Sequence, residues 1–233
     1  MYLCTNCGTE LEELYKRYCP SVLKLLKCDK CGHLADKYIE YDRAIILVDL
    51  ILIEKQVYRH LLFNSDLTSY WKLIIVLWLA ESFRSFSLCE PGAEKGPIDA
   101  TIFGDCNFYL VLPRTALALA SFLIGVIIST EIKWMICGEK PRGYSLKNLI
   151  RALLIGGCGK LLGLLGIVWR HISSGPHSFL IHGYTVLCLL TAYSVVCNSG
   201  KIGSLFCLAM GFLAYHYTLG LLPTVPLVSL EAT

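Results

Sequence analysis

Cys4-Thr5-Asn6-Cys7-Gly8 and Cys28-Asp29-Lys30-Cys31-Gly32 decide the fold of the first part of this chain. Each stretch is a Cys-x-x-Cys-Gly knuckle, and twenty residues separate the two. A structural zinc ion takes four thiolate or imidazole ligands in a tetrahedron, which two such turns supply without a large core. The glycine after each second cysteine allows a positive φ where the chain leaves the turn. The spacing predicts a small β-rich zinc ribbon with four ligands, Cys4, Cys7, Cys28 and Cys31.

Two disulfides are the alternative use of these cysteines, since the chain contains twelve cysteines and oxidised secreted domains also pair them. The first thirty residues contain five lysines and arginines and no apolar stretch long enough for a signal peptide. We therefore expect a reducing compartment and metal-bound thiolates. Cys19 has no paired neighbour, and we expect it to be a small buried apolar side chain instead of a fifth ligand.

The composition of the whole chain is that of an integral membrane protein. Hydrophobic residues make up 55% of the 233 residues, charged residues make up 17%, and the mean hydropathy is +0.57. Soluble domains contain about a quarter charged residues. The net charge of +3 is too small to indicate a nucleic-acid partner. We expect membrane lipids, and no nucleic acid, as partners.

Five apolar segments predict an all-α, multi-span membrane domain after the cysteine region. A helix needs about 20 residues to cross the bilayer core. The first segment is weak, because Lys72, Glu81 and Arg84 interrupt it. The chain then divides into a zinc-binding domain at 1–64 and a transmembrane domain at 65–233. The predicted spans are residues 68–88, 109–130, 152–169, 178–197 and 204–222.

Basic residues orient these spans. The connection at 133–151 contains five lysines and arginines, whereas the connection at 89–108 contains one lysine against four acidic residues. Basic loops remain in the cytoplasm. We therefore expect the 133–151 connection and the N-terminal domain to be cytoplasmic. Two crossings must then separate them, so the weak segment at 68–88 has to span.

The segment from about Asp42 to Phe63 has an apolar part too short to cross a bilayer. Residues 44–53 are apolar except for one aspartate, and a polar Glu54-Lys55-Gln56 follows. We expect an amphipathic helix in the lipid headgroup layer, with Arg59 and His60 facing water or lipid phosphate. A core helix of the N-terminal domain fits the same pattern, and the sequence leaves both interpretations open.

The third apolar segment carries the most informative pattern of the membrane domain. Four glycines in a 3-4-3 spacing share one helix face and predict close helix packing, namely Gly156, Gly159, Gly163 and Gly166. Lys160 borders that face, and an ammonium group inside a bilayer needs a carboxylate, a phosphate or water. Glu81 and Glu131 are the candidate protein partners, and a lipid phosphate is the candidate ligand. A shallow segment from which Lys160 reaches the interface is the alternative.

His182 and His216 lie in the fourth and fifth predicted spans and are the candidates for catalysis. No adjacent motif supplies a nucleophile or a base. Structural hydrogen bonds to a neighbouring helix are the simpler interpretation. We therefore expect a protein that is not an enzyme, with lipid-modifying chemistry as the alternative.

Three further strings carry a resemblance to a known family. They are ADKYIEYD at 35–42, DLIL at 49–52 and YRHLLFN at 58–64. Together with both knuckles they resemble the homology domain of the Arv family, whose name stands for ACAT-related protein required for viability. The resemblance in these strings ends at residue 64, and the later spans agree with the family in number and character.

The resemblance implies an endoplasmic reticulum membrane protein that acts in sterol homeostasis, with links to sphingolipid metabolism and to GPI-anchor synthesis. It implies zinc on the four knuckle cysteines and lipid transport without a settled catalytic activity. Sterol, phospholipid or glycolipid would be the lipid partner. Two functions remain open beside an enzyme: a transporter that uses the glycine face and Lys160, and an adaptor whose zinc domain docks lipid-synthesis enzymes.

Overall fold

A computed structural model describes most of the chain as a small β-containing module followed by long helices. The described residues are 2–19, 22–65, 70–89, 108–138, 140–141, 143–168, 175–198 and 200–222.

The N-terminal module contains two small antiparallel sheets. Strand β1 (Tyr2–Leu3) pairs with β2 (Glu10–Leu11), and β3 (Tyr15–Cys19) pairs with β4 (Val22–Leu25). The first knuckle lies between β1 and β2, and the second follows β4. The expectation that Cys19 is buried is wrong, because all five residues of β3 are exposed.

The segment expected to form one helix from Asp42 to Phe63 forms two. Helix α1 (Arg43–Ile51) and helix α2 (Lys55–Arg59) are separated by a turn in which Ile53 has a φ of 60°. A β-branched residue rarely adopts a positive φ, so the packing around the turn must impose this break. Helix α2 widens into a π-helical turn over His60–Asn64.

The two helical parts of this segment differ in burial. Among the described side chains of α1, none is buried. The exposed apolar side chains of α1 and its C-terminal cap are Ile45, Leu47, Val48, Ile51 and Leu52. The buried side chains of α2 and the π-helical turn are Val57, Tyr58, His60 and Leu62. Helix α1 therefore suits a lipid-facing position, whereas α2 and the turn belong to the core of the module.

Long helices form the rest of the described chain. They are α3 (Tyr70–Cys89), α4 (Phe108–Cys137), α7 (Gly175–Cys197) and α8 (Lys201–Leu221). Between α4 and α7 lies an interrupted helix, made of α5 (Leu146–Gly157), a 3-10 turn (Cys158–Leu161) and α6 (Leu162–Val168). The span predicted at 152–169 therefore starts six residues earlier, and Lys160 lies in the turn that interrupts it.

Four helices of the described chain are long and apolar enough to cross a membrane. This is typical of a membrane protein. Helix α3 is not among the four, because three charged residues lie within its twenty residues. At about 1.5 Å per residue, α3 is still about 30 Å long, so a fifth span stays a prediction. The four ranges are Phe108–Ile136, Leu146–Ile167, Pro176–Cys197 and Ile202–Leu221.

The helices pack in two main pairs, α4 against α8 and α5 against α7, and α3 contacts both α4 and α5. Gly125 and Gly211 allow α4 and α8 to approach closely, since a Cβ at Gly125 would lie 3.2 Å from the Cα of Gly211. The N-terminal module is docked on these helices. Val57, Tyr58 and Leu62 belong to the same hydrophobic core as residues of α5 and α7.

Candidate functional site

The four knuckle cysteines converge in the module. Their sulfur atoms all lie within 4.8 Å of one another. The Sγ atoms of Cys4 and Cys31 are 3.7 Å apart, and so are those of Cys7 and Cys28. Four sulfurs at about 2.3 Å from a central zinc ion would be about 3.8 Å apart. Each of the four is a free thiol, so the cluster could hold a metal ion, and its geometry fits a tetrahedral one.

The two knuckles have the same backbone hydrogen bonds. The N–H of Gly8 donates to the carbonyl of Cys4 at 2.9 Å, and the N–H of Gly32 donates to that of Cys28 at 2.8 Å. In each knuckle the N–H of the first cysteine donates to the residue after the glycine, at 2.8 Å. Gly8 and Gly32 have φ angles of +77° and +71°, which confirms the conformational reason for a glycine there.

The sulfurs are not equivalent without an ion. Burial raises the pKa of the Cys4 thiol to about 12. A hydrogen bond from the backbone of His33 lowers the pKa of the Cys31 thiol to about 6. A metal ion favours the thiolate form at every position, because its positive charge replaces the protons.

A buried carboxylate connects the helical part of the module to its first strand. Asp36 is fully buried and accepts hydrogen bonds from the N–H of Tyr38 at 3.0 Å, from Nδ1 of His60 at 2.7 Å and from Nδ2 of Asn64 at 2.7 Å. The Asn64 amide also bonds both backbone groups of Leu3, at 2.9 and 2.8 Å. Since Leu3 precedes the first knuckle cysteine, this network holds the strand that leads into the candidate metal centre.

The expectation that His60 faces water or lipid phosphate is wrong, because its ring is buried against Asp36. Arg59 is partly buried, and its guanidinium contacts the first knuckle. Its Nη1 donates to the carbonyl of Thr5 at 2.9 Å and to that of Asn6. Arg59 therefore supports the loop that carries the sulfurs.

Sequence reasoning did not identify this network, although its members lie in the strings that carry the family resemblance. Asp36 and Tyr38 come from ADKYIEYD, and Asn64 ends YRHLLFN. The hydroxyl of Tyr38 donates to Asp49, the first residue of DLIL, at 2.8 Å. A lone aspartate in the apolar run at 44–53 was the available signal, since such a group needs a hydrogen-bond partner.

Four of the five glycines of the interrupted helix have α7 residues among their neighbours, although the atom nearest to Gly163 belongs to Arg84 of α3. A Cβ at Gly156 would lie 2.9 Å from the Cα of the opposing residue, and a Cβ at Gly159 would lie 3.1 Å from the next one. The α7 residues that oppose the four glycines, in order, are Leu189, Thr185, Ile181 and His177. These positions recur every four residues. The α7 backbone lies close to Gly156 and Gly159, whereas Gly163 and Gly166 meet side chains.

A polar cluster lies among the membrane helices at Glu81, which is buried. One oxygen of Glu81 accepts from Nη2 of Arg84 at 2.6 Å and from the hydroxyl of Tyr215 at 2.7 Å. The other lies 3.5 Å from Nζ of Lys160, which also sits 4.7 Å from the ring centre of Tyr215. Of the two expected partners of Lys160, Glu81 lies within ion-pair distance of it. Glu131 instead bonds to the loop that follows its own helix.

Two clefts meet at Lys160. A polar cleft is lined by Glu81, Arg84, Lys160, Gly163, His177, Ser178, Ile181, His182 and Thr185. A mainly apolar cleft is lined by Ile74, Leu77, Leu119, Phe122, Leu123, Leu153, Leu154, Gly157, Lys160, Leu189, Phe212 and Tyr215. The arrangement provides charge on one side of Lys160 and hydrocarbon-like surface on the other.

The two histidines considered for catalysis are both exposed. Nδ1 of His182 lies 2.7 Å from the carbonyl of Ser178, which is in the same helix. The Ser178 hydroxyl is farther from Nδ1, at 3.4 Å. A carbonyl only accepts, so Nδ1 carries the proton and cannot serve as a base for that hydroxyl. His216 contacts the neighbouring ring of Tyr215. The expected bonds to a neighbouring helix are not found for either histidine among the described residues.

A docked four-cysteine module and four apolar helices of spanning length define a multi-span membrane protein with a candidate metal centre. The model of the Arv1-like family matches residues 3–193, and the chain belongs to this family. The chain is 50% identical to Protein arv1 of Schizosaccharomyces pombe over 198 residues. These residues cover 81% of this chain and 74% of the yeast protein.

Other relatives carry the same family name. Protein ARV1 of Homo sapiens is 32% identical over 222 residues, which is 94% of this chain and 73% of the human protein. Protein ARV 1 of Arabidopsis thaliana is 29% identical over 174 residues, which is 72% of this chain and 67% of the plant protein. No solved structure matches the chain. The resemblance read from the knuckles and the three strings is confirmed.

Proposed function

We propose that this protein acts in lipid homeostasis at the endoplasmic reticulum membrane and moves lipid there, sterol being the cargo that its family resemblance implies. Links to sphingolipid metabolism and GPI-anchor synthesis belong to the same proposal. The observation that carries it is the pair of clefts at Lys160, because a charged group beside an apolar cleft suits an amphipathic lipid. Membership of the Arv1-like family supports it.

The proposed metal is one zinc ion on the four knuckle cysteines. When bound, zinc would join the two knuckles and stabilise a module too small to depend on its own core. The four sulfurs supply the donor set, and Arg59 and Asn64 hold the first knuckle in place. The proposed role of the ion is structural.

The proposed orientation places the module in the cytoplasm. A cleft beside Cys7 and Arg59 is also lined by Pro141 and Gly143 of the α4–α5 connection and by Asn198 at the end of α7. The module and the basic connection therefore lie on the same side of the helices. Since α4 has the length and composition of a span, α3 must cross as well, which supports five spans with the basic loop in the cytoplasm.

We propose no catalytic role for the protein. The proton on Nδ1 of His182 and the exposed position of His216 both argue against a base with a nucleophile in reach. A His216→Ala variant is expected to support lipid homeostasis normally in cells that lack the native protein. Loss of a lipid product with this variant would favour the enzyme alternative.

Reconstitution tests the proposed function. Purified full-length protein in liposomes should accelerate movement of a labelled sterol or phospholipid between leaflets, relative to protein-free liposomes. Lys160→Met should slow this movement, whereas Lys72→Met, at an exposed lysine, should not. Equal rates in protein-free and protein-containing liposomes for every lipid tested would refute transport.

An adaptor remains the second candidate, and the β3–β4 hairpin favours it. All five residues of β3 are exposed, and Tyr18 is 66% exposed. An exposed aromatic side chain on a small hairpin is typical of a protein contact. Crosslinking in cells through position 18 should recover a lipid-synthesis enzyme if the module docks one, and recovery of none would count against the adaptor.

A further inference from the structure

The polar cluster has more positive than negative charge. Arg84 and Lys160 share a single carboxylate, Glu81, which leaves one positive charge without a counter-charge among the described residues. The Lys160 side chain is 23% exposed, and the Glu81 side chain is 2% exposed. An unbalanced charge at this depth is costly in a membrane, and a bound anion would compensate it.

The ammonium group of Lys160 is available to such an anion. Among the described residues it lies 3.5 Å from Glu81, which is long for a hydrogen bond, and 4.7 Å from the ring centre of Tyr215. The guanidinium of Arg84, in contrast, holds Glu81 at 2.6 Å. One ammonium hydrogen can point to Glu81 and one to the Tyr215 ring, so at least one has no partner among the described residues. The polar cleft adds the hydroxyl of Ser178, which can also bond an anion, whereas the hydroxyl of Thr185 already donates to the carbonyl of Ile181.

The two clefts have a fixed order along the helices. One end of the helix bundle lies beside the N-terminal module. The start of α3, the start of α5 and the end of α7 all lie at this end. On α3, the apolar cleft residues Ile74 and Leu77 lie nearer that end than Glu81 and Arg84. The same order holds on α5 and on α7, where Leu189 is nearer the module than the polar cleft residues. The apolar cleft therefore lies on the module side of Lys160, and the polar cleft lies on the far side.

We propose that the clefts bind one anionic phospholipid of the leaflet opposite the zinc module. Its phosphate contacts Lys160 and the polar cleft, and an acyl chain extends toward the bilayer centre through the apolar cleft. This inference rests on the proposed lipid function and specifies the ligand class. A phosphodiester supplies the missing negative charge, whereas a neutral sterol fills the apolar cleft without supplying it.

Lipid binding to the full-length protein in detergent tests this assignment. Fluorescently labelled phosphatidylglycerol is the anionic probe, phosphatidylcholine is the zwitterionic control, and a fluorescent sterol is the neutral control. Lys160→Met should weaken phosphatidylglycerol binding at least tenfold and leave sterol binding unchanged. Lys160→Arg should restore the phospholipid affinity, and Lys72→Met should not alter it.

A second pair of variants tests the acyl-chain site without touching a charge. A Cβ at Gly157 would lie 3.6 Å from Leu77, inside the apolar cleft, so Gly157→Leu should fill the cleft and weaken phosphatidylglycerol binding. Gly183, on α7, has open space around it, and Gly183→Leu should bind as the unmodified protein does. This pair decides the question if Lys160→Met fails to fold.

Three results would overturn the inference. Unchanged phosphatidylglycerol binding in both Lys160→Met and Gly157→Leu would exclude the site. An equal loss of sterol and phospholipid binding in Lys160→Met would show a structural effect in place of recognition of the phosphate. Binding of sterol alone would refute the anionic ligand but leave the proposed lipid function standing, whereas binding of no lipid would contradict both.

Discussion

Removal of the Asp36 carboxylate should unfold the N-terminal module. In Asp36→Ala, the buried His60 would lose its acceptor, at about 1–3 kcal/mol, and the partly buried Asn64, which keeps its bonds to Leu3, would lose one hydrogen bond, at about 1 kcal/mol. Loss of the bond that caps the turn at Tyr38 would add about 1 kcal/mol. The sum is about 3–5 kcal/mol, which approaches the total stability of about 5 kcal/mol of a weakly stable domain.

Pulse proteolysis across a urea gradient measures this loss on the full-length protein. With a slope of about 1 kcal/mol per M for so small a module, the midpoint should fall by about 3 M or more, or the module should be cleaved without urea. Asp36→Asn keeps the side-chain volume and loses one acceptor, so its urea midpoint should lie between those of the unmodified protein and Asp36→Ala. Asp42→Ala is the matched control, because Asp42 is exposed and makes no side-chain capping bond. A midpoint for Asp36→Ala within about 0.5 M of that control would refute the role given to the network.

Three further predictions concern the metal centre, the glycine face and α1. Cys28→Ser should reduce bound zinc from about one ion per chain to near zero by elemental analysis, whereas Cys19→Ser should retain it; retention in both would exclude the four-sulfur site. Gly156→Leu should lower the Tm of the purified protein, since even a Cβ there lies 2.9 Å from the α7 backbone, and Gly183→Leu should not; equal Tm values would contradict close packing. Tyr38→Phe removes the bond to α1 and should cost about 1 kcal/mol by urea midpoint, so no change would show that this bond does not hold α1.

The local features of this fold could be predicted from the sequence. The cysteine spacing identified the four sulfurs because each pair lies in one tight turn, and the two turns are the same structure repeated. Apolar runs identified the long helices because their signal is also local. Lys160 and one of its two expected partners were found because a membrane offers few groups that can neutralise an ammonium ion.

The features that were missed depend on contacts between distant parts of the chain. Polarity alone placed His60 toward water, and its burial depends on Asp36, which lies 24 residues earlier. Tyr215 joins the polar cluster from a helix 134 residues away from Glu81. The turn at Ile53 divides a segment whose composition is continuous. None of these pairings has a periodic signal that a single sequence could reveal.

The hydrophobic core that the cysteine module shares with α5 and α7 determines how the module can be studied. A fragment cut after residue 65 would expose Val57, Tyr58 and Leu62 to water, at about 1.5–3 kcal/mol for each apolar side chain. That loss is comparable to the whole stability of a small domain, and the bare surface would favour self-association. Zinc affinity measured on such a fragment would therefore describe an altered fold, and the meaningful measurement is on the membrane-embedded chain.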